Sequence, residues 1–143
     1  MQRLIAIIAI LGLSTALHAA PVASKLYGSW RIAGVADAQE TASMTSDDAD
    51  KLAGKEFLVA HDRVQFEGEV CQGPQFKATR HRTREMFRRE YRFEPQDMGL
   101  PDPVTQVEIS CKNPVIYFVY LKRNNALILY WKGFFLNAVR QQH

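Results

Sequence analysis

The fold is decided between residues 115 and 139, which read VIYFVYLKRNNALILYWKGFFLNAV. Two dense runs of β-branched and aromatic residues, Val115 to Leu121 and Ala126 to Trp131, stand on either side of Arg123-Asn124-Asn125. Asparagine tolerates the left-handed backbone of tight turns, so this pattern predicts a β-hairpin. Both runs are short and strand-like in composition, and the hairpin therefore predicts an antiparallel sheet.

Further strands are predicted on both sides of this hairpin. After it, Gly133 introduces Phe134 to Val139. Before it, apolar and polar residues alternate through Thr105 to Cys111 and through Arg63 to Val70, as expected of strands with one buried face. The remaining candidates are Trp30 to Val35, Lys55 to Ala60 and Gln75 to Arg80. About eight short strands predict a mainly β fold, a single antiparallel barrel, because closure removes exposed sheet edges.

A short helix is expected near residues 46–53. Thr45 or Ser46 can cap it, since both hydroxyls can accept a hydrogen bond from the first turn. Asp47 and Asp48 then lie at the end of the helix dipole that favours negative charge.

A second helix is expected near residues 83–93, where Met86, Phe87 and Tyr91 fall on one side. The segment from Pro95 to Pro103 has too many prolines for regular pairing, so the helix should stop before it. An open sheet packed against this helix is the alternative to a closed barrel.

Residues 1–20 have the pattern of a secretory signal peptide, with Arg3 before the apolar run Leu4 to Leu11 and Ala19-Ala20 at the exit. A membrane anchor is the alternative, but the apolar run falls short of the roughly 20 residues that a spanning helix needs. We therefore predict one domain over residues 21–143, periplasmic or secreted and without a transmembrane segment.

The chain contains two cysteines, Cys71 and Cys111. An even pair in an exported protein favours a disulfide. Zinc ligands normally come in closely spaced Cys or His pairs, and these two residues lack that spacing. We predict a structural disulfide and no metal site.

The segment Gly28-Ser29-Trp30 resembles the Gly-x-Trp signature that opens the first strand of lipocalin-like barrels. In that family the Trp plugs one end of the barrel beneath a basic side chain from the last strand. The resemblance implies that Trp30 is such a plug, that Arg140 covers it, and that the barrel mouth takes up a small molecule. The alternative is an interior filled by the chain's own aromatic side chains.

Positive charge is concentrated in residues 77–92, which hold seven basic and two acidic residues, whereas the whole chain has a net charge of +3. Six of the seven are arginines, which favour bidentate binding of carboxylate or phosphate. The residues that we assign to anion or partner binding are Lys77, Arg80, Arg84, Arg88 and Arg89. The alternative is a solvated helix face on which Glu85 and Arg89 pair one turn apart.

The sequence contains no constellation typical of an enzyme, such as a Gly-x-Ser-x-Gly elbow, a phosphate-binding glycine loop or a His-Glu-x-x-His pair. His61-Asp62, between two predicted strands, fits a hairpin turn. We therefore expect neither enzymatic activity nor a cofactor.

The leading hypothesis is an exported, monomeric, lipocalin-like binding protein that takes up a small apolar or anionic ligand, either a free small molecule or an anionic envelope component. The alternative is a periplasmic inhibitor or immunity-type protein that binds a cell-wall-degrading enzyme, a secreted hydrolase, through residues 77–92. Nucleic acid is not an expected partner for an exported protein.

Overall fold

The computed structural model describes residues 21–142, and the predicted signal segment 1–20 lies outside them. Within this range the chain forms three helices and nine strands. The helices are α1 (Pro21–Leu26), α2 (Ser46–Asp50) and α3 (Thr83–Tyr91). The strands are β1 (Gly28–Ala38), β2 (Glu56–Val59), β3 (Arg63–Phe66), β4 (Glu69–Gln72), β5 (Gln75–His81), β6 (Val104–Ser110), β7 (Phe118–Leu121), β8 (Ala126–Trp131) and β9 (Phe134–Arg140).

The strands form one curled antiparallel sheet in the order β4-β3-β2-β1-β9-β8-β7-β6-β5. The last strand returns to the first, with Trp30 of β1 opposite Arg140 of β9. This order confirms the predicted mainly β, barrel-like fold. Asn124 and Asn125, between β7 and β8, both have positive φ angles, as the predicted hairpin turn requires.

The strand predicted over Arg63 to Val70 is interrupted. Glu67 and Gly68 both adopt positive φ angles and form a turn, so that β3 ends at Phe66 and β4 begins at Glu69. A glutamate in a left-handed conformation is uncommon, which is why its position was not evident from the sequence. The extra turn accounts for nine strands where eight were predicted.

Strands β4 and β5 run in the same sense, because β4 lies three antiparallel steps from β1 and β5 lies five steps from it in the other direction. The chain therefore passes through Gly73 and Pro74 without reversing. The two strands are halves of one bent strand, of which one half pairs with β3 and the other with β6.

The seam between β4 and β5, at the two ends of the strand order, is held by other contacts. Cys71 in β4 is joined by a disulfide to Cys111, just beyond β6, with the two Cα atoms 5.8 Å apart. The ring of Tyr27, between α1 and β1, lies 6.2 Å from the rings of both Phe76 in β5 and His61 in the β2–β3 turn. The disulfide thus joins β4 to the end of β6, and Tyr27 packs between β5 and the β2–β3 turn.

The inner face of the sheet is filled by its own side chains. Trp30, Phe57, Phe66 and Trp131 are all at most 7% exposed and belong to one apolar cluster. The ring of Phe66 meets those of Phe57 and Trp131 edge to face, at 6.1 and 5.1 Å. This packing agrees with the alternative in which the barrel interior is a core.

Helix α3 packs against the outer face of the same sheet. Phe87 is fully buried, with its ring 5.2 Å from Tyr120 and 5.5 Å from Phe135. Along β8, Leu127 contributes to the inner cluster and Ile128 to the outer one. Strands buried on both faces need apolar residues at every position, which explains the continuous apolar runs in this part of the sequence.

The helix boundaries differ slightly from the prediction. Thr45 caps α2, its hydroxyl accepting a 3.2 Å hydrogen bond from the Asp48 backbone N–H. Helix α3 ends at Tyr91, two residues early, because Arg92 adopts a left-handed φ of 65°. Helix α1 was missed, since six residues show too little periodicity to be recognised. Among residues 21–142 no helix combines the length and apolarity needed to span a membrane.

Candidate functional site

The structure brings Trp30 and Arg140 together at one end of the curled sheet. The guanidinium carbon of Arg140 lies 4.2 Å from the centroid of the Trp30 ring. The same guanidinium donates hydrogen bonds to the carbonyl oxygens of Tyr27, at 2.5 Å, and Lys25. Trp30 Nε1 donates to the Leu26 carbonyl at 2.8 Å. This Trp30 end is therefore occupied by contacts that fix the C-terminal end of α1.

The arginines of α3 are exposed and paired with carboxylates. Arg84 donates to Glu94 at 2.8 Å, and Arg88 donates to the other carboxylate oxygen. Arg89 is paired with Glu90 at 2.8 Å rather than with Glu85. Between 56% and 65% of each arginine side chain remains exposed. Each guanidinium therefore has one side that is hydrogen-bonded to a carboxylate, and the rest of its surface faces solvent.

Glu94 is the acceptor that organises this face. Its partial desolvation opposes ionisation, but the hydrogen bonds and charges of Arg84 and Arg88 outweigh it and hold the pKa of Glu94 below its usual value. The carboxylate is therefore ionised at neutral pH and keeps both arginines in place.

Lys77 and Arg80 lie apart from α3, on strand β5. Both are exposed, and within residues 21–142 neither forms an ion pair. Strand β5 is last in the sheet order, and charges on an edge strand discourage pairing with other chains. The basic segment thus divides into a charged edge and a patterned helix face.

The opposite end of the sheet carries a recess of about 600 Å³ above Trp131. We call this the Trp131 end. The recess lies between α2, the β3–β4 turn and the β8–β9 turn, and its lining includes Ser43, Lys55, Glu69 and Lys132. Lys132 places its ammonium nitrogen 5.1 Å from the centroid of the Trp131 ring.

A second recess, of about 390 Å³, adjoins the first. Four residues line both: Ser43, Glu69, Trp131 and Lys132. The second recess also contains Tyr117, which is 55% exposed and is the exposed large hydrophobic side chain of the described residues. The two recesses therefore form one continuous groove, and the exposed ring of Tyr117 lines its smaller part.

A buried polar cluster lies under α3. The hydroxyl groups of Tyr91 and Tyr120 are hydrogen-bonded to each other, and Gln106 Nε2 donates to Tyr120 at 3.0 Å. Burial raises the pKa of Tyr120 to about 12, although these hydrogen bonds act in the opposite direction, and it also raises the pKa of Tyr91. Both hydroxyls stay protonated near neutral pH, so the cluster serves to satisfy buried polar groups.

The two predicted disulfide residues, Cys71 and Cys111, are bonded to each other. Cys71 is fully buried in the inner cluster, where its disulfide replaces a thiol. Residues 21–142 contain no group of three or more His, Cys, Asp or Glu side chains placed to hold a metal ion.

Sequence reasoning did not find Ser43, Tyr117 or Lys132. These residues come from three separate connections, and only the curl of the sheet places them side by side. The one local signal was Tyr117, a polar-tipped aromatic at the start of an apolar run. Comparisons of the chain with protein-family models, with curated proteins and with solved structures gave no match.

Proposed function

We propose that the chain is an exported, non-enzymatic binding protein that holds a small ligand at the Trp131 end. The observation that carries the proposal is the groove above Trp131, which lies at the opposite end of the sheet from the Trp30–Arg140 pair. A lipocalin-like barrel likewise has one plugged end and one open end. The disulfide between Cys71 and Cys111 fits an oxidising compartment outside the cytoplasm.

The proposal differs from a lipocalin-like carrier in the depth of the site. Phe66 and Trp131 fill the space directly below the groove, and both are almost fully buried. A ligand would therefore rest on the end of the sheet instead of entering its interior. Polar side chains from α2 and the turns would contact it from the sides.

The test uses native mass spectrometry on the chain purified from the envelope or medium of its own source. Ser43 is exposed and lines both recesses, so Ser43→Trp should obstruct the groove without disturbing the core. We expect the unaltered chain and the matched control Ser43→Ala to carry a bound small molecule that Ser43→Trp lacks. A chain that carries no such mass, or a Ser43→Trp variant that retains it, would contradict the proposal.

A second candidate function is protein-directed inhibition through α3. The observation that favours it is the alternation of exposed arginines with carboxylates around Glu94. A patterned charge surface suits a protein partner of defined shape, because register can be matched charge by charge. The partner in this case would be a secreted cell-wall hydrolase with an acidic cleft.

This candidate is tested by lysis of purified cell walls with secreted hydrolases. Reversal of Arg84, Arg88 and Arg89 to Glu should abolish inhibition. The matched control reverses Arg31, Lys112 and Arg123, which are exposed and lie elsewhere on the surface. Equal loss in both variants would show that only net charge matters, and no inhibition by the unaltered chain would remove this candidate.

A further inference from the structure

The groove at the Trp131 end is electrically balanced. Three lysines and three carboxylates line its larger recess: Lys51, Lys55, Lys132, Asp48, Glu67 and Glu69. Lys51 and Asp48 neutralise each other at 2.9 Å. A ligand with a net charge of either sign would meet as much repulsion as attraction here, so the groove favours an uncharged ligand.

The groove is also poorly suited to an apolar ligand. Sites for apolar molecules enclose most of the ligand within hydrophobic walls. Here Trp131 is only 7% exposed, and charged and hydroxyl side chains make up most of the larger recess, while the second recess adds the rings of Tyr117 and Tyr130. An apolar molecule would leave those polar groups desolvated without partners.

The groove contains charged side chains that have no ion-pair partner among the described residues and can form hydrogen bonds with a ligand. Lys55, Glu67, Glu69 and Lys132 form no ion pair within residues 21–142. Ammonium groups donate hydrogen bonds and carboxylates accept them, and bonds to charged groups are stronger than neutral ones. A hydroxyl group can serve as either partner, so a hydroxyl-rich ligand can satisfy both kinds of group at once.

The extent of the groove favours a chain-like ligand. The two recesses share Ser43, Glu69, Trp131 and Lys132, so a ligand of more than one ring can contact both the charged side chains of the larger recess and the exposed ring of Tyr117 in the second. An exposed flat ring in a polar groove provides a surface for the apolar face of a sugar ring. We propose that the Trp131 end binds a short neutral oligosaccharide that stacks on Tyr117 and is hydrogen-bonded by Lys55, Glu69 and Lys132.

This proposal specifies the ligand class of the site proposed above and so rests on that function. The test titrates the ¹⁵N-labelled mature chain with tetra-N-acetylchitotetraose and with cellotetraose, both uncharged, and with laurate as an apolar anionic comparison. We expect at least one tetrasaccharide to shift the backbone amides of residues 41–45, 67–69, 115–117 and 131–133. The Tyr117→Ala variant should bind it about 10-fold more weakly or worse, because the stacking surface is lost.

Two further variants separate the roles of ring and charge. Tyr117→Phe keeps the ring and should bind within about twofold of the unaltered chain, and Glu69→Gln should weaken binding by removing a charged acceptor. Tyr117 and Glu69 are both exposed, so folding is not at risk. Arg123→Ala, at the opposite end of the sheet, is the control and should bind normally.

The outcomes are distinct. Shifts of the same amides by laurate alone would overturn the proposal that the ligand is an oligosaccharide, but would still support a ligand site at the Trp131 end. Shifts by a tetrasaccharide at other residues, or equal affinity of Tyr117→Ala and the unaltered chain, would also overturn it. If none of the three compounds shifts these amides, the oligosaccharide proposal is wrong. Native mass spectrometry then tests separately whether the Trp131 end binds any small molecule.

Discussion

Arg140 stacks on Trp30, and Gly28 makes room for it. A Cβ atom on Gly28 would lie 2.8 Å from Arg140 Nη1, and the residue has a φ of 133°, which L side chains rarely adopt. Gly28 and Trp30 therefore both position the Arg140 guanidinium, which lies between the Trp30 ring and the end of α1.

Removal of this guanidinium should destabilise the fold. We expect Arg140→Ala to lower the free energy of unfolding by about 1–3 kcal/mol, through loss of the cation–π contact and of hydrogen bonds to two carbonyls. The unfolding free energy of Arg140→Lys should lie between those of Arg140→Ala and the unaltered chain, since a lysine keeps the charge but cannot bridge both carbonyls. Urea denaturation measures the difference. An Arg140→Lys variant as stable as the unaltered chain would show that the planar group is unimportant.

The disulfide across the seam should contribute strongly to stability. Its residues are 40 positions apart, and opening a loop of that length restores denatured-state entropy worth about 4 kcal/mol on the chain-entropy relation. We expect the double variant Cys71→Ala, Cys111→Ala to lose about that much in urea denaturation. Reduction of the unaltered chain is the control and should give a similar loss. A loss below about 1 kcal/mol would contradict a strong stabilising contribution of the disulfide.

The tyrosine cluster should make the fold sensitive to alkali. Burial raises the pKa of Tyr120 from 10.0 to about 12, so the unfolded chain releases this proton first as the pH rises. The stabilising contribution is complete below about pH 10 and is lost as the pH rises toward 12, at up to about 1.4 kcal/mol per pH unit.

Tyrosine variants test this dependence. Tyr120→Phe should flatten the fall in unfolding free energy between pH 10 and 12. Tyr117→Phe removes an exposed tyrosine and is the matched control. Equal slopes in both variants would show that Tyr120 does not titrate as described.

Glu94 should titrate below the usual range for a glutamate because Arg84 and Arg88 stabilise its charged form. The stability that depends on this carboxylate is present above the unfolded-state pKa and is lost as the pH falls through the folded-state pKa. A carboxyl-carbon NMR titration measures it. Replacing Arg84 and Arg88 with Ala should raise the pKa of Glu94, whereas Arg89→Ala should not, because Arg89 contacts Glu90.

Local sequence patterns were sufficient for most of the fold. The alternation in β6, the hairpin turn at Asn124-Asn125 and the capped start of α2 all depend on neighbouring residues, and they are present. The turn at Glu67-Gly68 escaped notice because its left-handed glutamate breaks the usual residue preference. The placement of α3 outside the curl depends on contacts between Phe87 and distant strands, which no local pattern reveals.

The candidate site was less accessible to prediction. The sequence drew attention to the arginines of residues 77–92, since charge is visible as composition. The groove at the Trp131 end is assembled from Ser43, Glu69, Tyr117 and Lys132, which are unremarkable individually and up to 89 positions apart in the chain. Their proximity follows from the return of β9 to β1 and from the curl, both of which are properties of the whole sheet.

Hydrogen exchange measured by mass spectrometry, on the purified chain before and after its bound molecule is removed by unfolding and refolding, tests where binding occurs. We expect removal to lower protection in residues 39–45, 67–69 and 131–133, with β5 and α3 unchanged. A change confined to residues 77–92, or to the strand residues that face the inner cluster, would contradict a ligand site at the Trp131 end.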